Sequence, residues 1–253
     1  MFCSLCGTPY EDDDAFCGGC GARFETAPVH MPQAQPEPEI RQPVHVPPAA
    51  APAHARMLLV FLLDTSASAA PHIGRMFSCL NSFFKEINAD SIAKNALDMV
   101  VIQFNDGIGV IDDLSGLSNP NVPEPAAQGA ANYSAPIREA LSIVEEYAAG
   151  QAQMYKPWVV MITSDAPGDD IADITAQVQN AQSAGKLRFM TLGVANYDSE
   201  TLKKLTDVVF RQKGTDYTSF FQWIRESIKL IVRSSPNEKP QLPQLTGDVY
   251  RDK

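Results

Sequence analysis

The sequence predicts an α/β protein: a doubly wound, three-layer sandwich in which helices cover both faces of a mostly parallel sheet, with one antiparallel edge strand and a small metal-stabilised module in front. Three observations predict it. Short unbroken apolar runs, the first being Leu58-Leu59-Val60-Phe61-Leu62-Leu63, alternate with amphipathic segments along most of the chain. A strand apolar on both faces belongs in a parallel sheet sandwiched by helices. The first run ends in Asp64-Thr65-Ser66-Ala67-Ser68, a polar turn leading to a helix. That order places the turn at the carboxyl edge of the sheet, where open α/β folds bind their ligands. Finally, four of the five cysteines lie within the first twenty residues.

Residues 1–26 hold Cys3-x-x-Cys6 and Cys17-x-x-Cys20, each pair followed by glycine. Two intervening residues let a tight knuckle turn both thiolates onto one ion, and four thiolates close a tetrahedral structural zinc site. A segment this short buries no core of its own, so zinc would supply its folding energy. The module resembles a zinc ribbon. Glu11-Asp12-Asp13-Asp14 between the knuckles opposes contact with nucleic-acid phosphate. Residues 27–56 follow, with eight prolines in thirty positions. They read as a flexible, extended linker, and His30, His45 and His54 as solvated residues of it.

The domain proper is expected over 57–234. Its strand runs are 57–63, 97–104, 108–114, 158–163, 187–194 and 208–211. Asn105-Asp106-Gly107 is a hairpin signal, so the run from Ile108 reads as the antiparallel edge. Helices are expected at 72–88, 134–149, 170–184, 199–206 and 219–234. In the first, Ile73, Met76, Phe77, Leu80, Phe83, Phe84 and Ile87 recur at helical spacing, and Cys79 reads as a buried apolar residue. In the last, Phe220, Phe221, Trp223, Ile224, Ile228 and Ile231 form a core-facing stripe. Residues 235–253 carry proline and charge and read as a mobile tail.

Composition narrows the function. The formal net charge of −10 argues against a nucleic-acid surface. No apolar run is long enough to span a membrane, and the N-terminal residues lack a basic region and apolar core, so a cytoplasmic protein is expected. Neither a dinucleotide fingerprint nor a P-loop occurs.

Asp64, Ser66 and Ser68, spaced two apart, can aim three oxygens at one point, a donor set suited to Mg²⁺ or Mn²⁺. The alternative is that Asp64 and Ser66 cap the next helix. With the strand and the alternation, this Asp-x-Ser-x-Ser loop resembles the first segment of the metal-ion-dependent adhesion site of von Willebrand factor A domains. The resemblance implies two further segments. Gly129-Ala130-Ala131 is similar to the family's Gly-Gly-Thr, with Ala131 at the usual threonine position. Ile162-Thr163-Ser164-Asp165-Ala166 is similar to its Thr-Asp-Gly loop and supplies Asp165. Two readings follow: an ion on Asp64, Ser66, Ser68 and Asp165, completed by water or Ser134, or loops that have lost their ion. Asp169, Asp170 and Asp173 read as acids of a helix's first turn.

The last helix and the ribbon also resemble bacterial tellurium-resistance TerY-like proteins. That implies a cytosolic interaction module in a stress-response system, with a kinase or phosphatase as partner. No enzyme activity is expected, since no lysine and only His72 lie near these loops. A metal-dependent hydrolase or phosphotransferase at the same edge is the alternative.

Overall fold

The computed structural model describes Thr8, Pro9, Gly19, Cys20, residues 55–112 and residues 122–252. The chain divides into two units, residues 1–43 and 44–253. The expected zinc site falls on the first: Cys3, Cys6 and Cys17 lie outside the described residues, as does the linker up to residue 54.

The second unit is built on a seven-stranded sheet ordered β3-β2-β1-β4-β5-β6-β7. The strands are β1 (Met57–Asp64), β2 (Leu97–Phe104), β3 (Ile108–Asp112), β4 (Trp158–Thr163), β5 (Arg188–Gly193), β6 (Val209–Gln212) and β7 (Val249–Arg251). Strands β2, β1, β4, β5 and β6 run parallel; β3 and β7 are antiparallel edges. The helices are α1 (Ala70–Asn88), α2 (Ser91–Ala96), α3 (Ser134–Ala149), α4 (Ala172–Ser183), α5 (Ser199–Leu205) and α6 (Thr218–Val232).

Strand alternation divides the core into two layers. Met57, Leu59, Phe61 and Leu63 of β1 face α1, α2 and α6, where Phe61 sits within 6 Å of both Phe83 and Phe221. Leu58, Val60 and Leu62 face α3, α4 and α5. All eight residues of β1 are buried, as an unbroken apolar run at the centre of a covered sheet requires.

Two elements depart from expectation. Helix α2 is six residues long, too short to show a periodicity, and it forms because Asp90 caps it by accepting from the amides of Ile92 and Ala93. The larger departure is the C-terminal segment, which is no loose tail. Leu242 and Leu245 pack on the core, Trp223 Nε1 donates to the Pro243 carbonyl at 2.9 Å, and Val249–Arg251 adds β7 to β6. The domain therefore continues from 234 to 252, and the sheet has two antiparallel edges. The physical reason is that a bare β6 would leave an unpaired edge beside the indole of Trp223.

Chain order fixes where a ligand can sit. From β1 the chain passes along one face, through α1 and α2, to β2. It reaches β4, on the other side of β1, by way of α3 on the opposite face. Connections leaving to opposite faces open a crevice at the carboxyl ends of β1 and β4, the topological switch point.

Candidate metal centre at the switch point

Asp64, the last residue of β1, is 1% exposed, and its carboxylate faces the end of β4. One carboxylate oxygen, Oδ1, accepts from the amide of Ser66 at 2.8 Å. The other, Oδ2, accepts from the amide of Ser164 at 2.8 Å, the Ser164 hydroxyl at 2.9 Å and the Thr163 hydroxyl at 3.1 Å. A buried carboxylate needs such donors in place of water. Ser66, also 1% exposed, holds its hydroxyl 2.9 Å from that of Ser68, and Ser68 Oγ lies 3.2 Å from Ser164 Oγ. Four oxygens thus form a continuous arc: Ser66 Oγ, Ser68 Oγ, Ser164 Oγ and Asp64 Oδ2.

The loops carrying this arc are laced by backbone bonds. Thr65 donates its amide to the Phe104 carbonyl and Ala67 to the Gly129 carbonyl, while Gln128 donates back to Thr65 and Gly168 to Ala131. Gly129 has φ +69°, a left-handed conformation in which glycine is unstrained, and Asp106 closes over the space where a Cβ would stand. Asp106 also accepts from the amide of Ala130 at 2.8 Å. Beneath the β4 turn, the Tyr133 hydroxyl donates to the Asp165 carbonyl at 2.5 Å and lies 2.8 Å from Thr163 Oγ1. Burial pushes that phenol well above its ordinary value, so it stays a neutral donor.

The sequence-predicted residues are only partly gathered. Asp64, Ser66 and Ser68 come together. Asp165 sits on the same turn, but its carboxylate is exposed and accepts from the amide of Ala166. Ala131 is buried at 3% and packs in the core layer with Leu62, Phe104 and Tyr133. Ser134 donates to the Asp170 carbonyl and does not reach the arc. Asp169, expected in the first turn of the helix that follows it, instead accepts from the amides of Tyr133 and Ser134 and caps α3. His72, buried in α1, places Nδ1 2.8 Å from the Tyr217 hydroxyl. Burial lowers its pKa from the ordinary 6.5, with Asp64 opposing. Ser164 was missed by sequence reasoning; its signal was a hydroxyl residue at the carboxyl end of an apolar strand.

The donor set fits a small hard cation. Three of the arc atoms are neutral hydroxyl oxygens, and the fourth belongs to a buried carboxylate, Asp64 Oδ2, which already accepts three hydrogen bonds. The successive separations along the arc, 2.9, 3.2 and 2.9 Å, are hydrogen-bond distances, close to the roughly 2.9 Å edge of an octahedron with ligands at about 2.0–2.1 Å. Among the described residues no group of three or more His, Cys, Asp or Glu side chains comes together, so this hydroxyl-rich arc stands apart from a carboxylate cage.

Comparison with known proteins identifies the domains and the fold. A model of the von Willebrand factor type A domain matches residues 59–222, and a zinc-ribbon domain model matches residues 2–24. No curated relative matches the sequence. Among solved structures, a von Willebrand factor type A protein from Catenulispora acidiphila superposes with a TM-score of 0.50 at 13% identity, over 70% of this chain and 43% of its own. The proximal thread matrix protein 1 of the mussel byssus, with a zinc-occupied MIDAS motif, gives 0.50 at 13% identity over 71% and 46%. The pilus adhesin SpaC from Lactobacillus rhamnosus GG, in its open conformation, gives 0.56 at 11% identity over 70% and 30%. The chain spans less than half the length of each. At these identities the likeness is one of fold.

Proposed function

The chain belongs to the von Willebrand factor type A family over residues 59–222, and from that premise we propose that it is a non-enzymatic protein-interaction module that takes an acidic side chain of its partner at a divalent ion on the β1–β4 edge. The observation that carries this is the oxygen arc at the switch point. Asp64 anchors the arc, and its four hydrogen bonds fix the carboxylate before any ligand arrives. Ser66 and Ser68 offer neutral oxygens. A Mg²⁺ or Mn²⁺ ion held there would supply an electrophilic coordination position, because neutral hydroxyl ligands leave most of its charge uncompensated. An Asp or Glu of a partner suits that position. Asp165, exposed on the same turn as Ser164, would take part through water.

The zinc-ribbon match over residues 2–24 supports a second, structural metal on Cys3, Cys6, Cys17 and Cys20. Ribbon and switch-point edge in one chain would give a partner two contacts and raise its effective concentration. The same pairing, with the aromatic stripe of α6, supports a cytoplasmic TerY-like role beside a kinase or phosphatase in a stress response. Among the described residues no helix is long and apolar enough to cross a membrane. A hydrolase at this edge gains no support from His72, whose ring is buried and bonded to Tyr217.

The test is capture of a carboxylate. A fluorescent peptide bearing one Asp should bind the full chain in millimolar Mg²⁺ or Mn²⁺, lose binding in EDTA, and fail with Asp64→Asn. Binding indifferent to chelator would overturn the metal-mediated reading.

A further inference from the structure

The structure assigns to Ser164 the role of the hydroxyl ligand that Ala131 cannot provide. The inference rests on the metal reading above and extends it to a residue of the third segment that the resemblance does not name as a ligand. Ala131 is a methyl group packed in the core layer of α3, so the loop at 129–133 offers the edge no side-chain oxygen at that position. The end of β4 offers one. Ser164 is 1% exposed, and its hydroxyl lies 2.9 Å from Asp64 Oδ2 and 3.2 Å from Ser68 Oγ.

The chemistry of a hydroxyl decides what this geometry can do. A serine hydroxyl has one proton and two lone pairs. The Ser164 proton goes to Asp64 Oδ2, because a bond to a carboxylate is the stronger of the two open to it. Its lone pairs are then turned toward the space bounded by Ser68 and Ser66. The amide of Ser164 donates to the same carboxylate oxygen, so backbone and side chain hold the hydroxyl in one orientation. Thr163 adds a third donor to Oδ2, and the Tyr133 hydroxyl donates to the Asp165 carbonyl from below. A residue that ends a strand, is gripped at both amide and hydroxyl, and presents lone pairs beside two further serine oxygens has the preorganisation a ligand needs. The contribution of a third neutral oxygen has thus moved from the α3 loop to the β4 loop, across the same crevice.

The experiment titrates Mn²⁺ into the zinc-loaded full chain and counts free ion by electron paramagnetic resonance, for wild type, Ser164→Ala, Ser164→Thr and Asp64→Asn. Melting each variant without Mn²⁺ establishes that it is folded. Ser164→Ala keeps the backbone bond to Asp64 and should loosen Mn²⁺ on the order of ten-fold. Ser164→Thr keeps the hydroxyl and should bind close to wild type. Ser164→Ala binding as wild type does, while Asp64→Asn fails to bind, overturns the role of Ser164 and leaves the metal site standing. If wild type and Asp64→Asn alike fail to bind Mn²⁺, the metal reading itself falls and the role of Ser164 with it.

Discussion

Ala131 shows how one residue changes the meaning of a motif. At the threonine position of the family pattern it suggests a gap to be refilled. In the fold its methyl group is buried in the core layer with Leu62, Phe104 and Tyr133. Ala131→Thr should therefore destabilise the domain by about 1–3 kcal/mol through overpacking, read as a lower urea midpoint, with no tightening of Mn²⁺. His72 carries a second prediction. Its folded pKa lies below the ordinary 6.5 because burial penalises the charged ring. As pH falls, the unfolded chain takes up that proton first, so the stability His72 contributes is present above about pH 6.5 and is lost on acidification. Thermal midpoints should fall between pH 7 and pH 5 in wild type and fall less in His72→Phe. That variant pays at neutral pH for the lost bond to Tyr217.

At the scale of elements, what the sequence revealed and what it hid divide along a physical line. Strands β1 and β4 are legible because each carries an unbroken apolar run, β2 because Met99–Ile102 is one between Asp98 and Gln103, and α1, α3 and α6 because their stripes are long enough to show the helical period. The Asp64-Ser66-Ser68 loop is legible because its three residues are neighbours in sequence. Ser164 and Asp169 are not, since the partner of each is set by where distant segments land: Ser164 meets Asp64 across a separation of 100 residues. Strand β7 hides for a related reason. Its three residues carry little pattern of their own and are ordered by partners elsewhere. Asp252 accepts from Tyr197 and Ser199, and the Asp248 carbonyl accepts from the amide of Lys213. Truncation after Ser234 removes these bonds and that of Trp223. It should cost on the order of 3 kcal/mol or more, taking each bond at about 1 kcal/mol, measured by urea unfolding. The exposed β6 edge should also bring concentration-dependent association. Unchanged stability in the truncated chain would mean that the segment adds nothing to the fold.

At the scale of the whole molecule, the two proposed metals have different duties. Zinc on the four N-terminal cysteines is the proposed structural metal, and elemental analysis should find close to one zinc per chain, lost in Cys17→Ser. Limited proteolysis should cut between residues 27 and 54 and leave a resistant fragment that begins near Ala55, the first of the described residues of the second unit and itself buried, and ends near residue 252. The central claim concerns the other ion, on Asp64, Ser66 and Ser68. It is tested most directly by the heat of Mg²⁺ binding to the zinc-loaded full chain, wild type against Asp64→Asn, by isothermal titration. One site per chain at up to millimolar Mg²⁺, absent from Asp64→Asn, is the predicted result. Equal heats for the two proteins, or none for either, would contradict it.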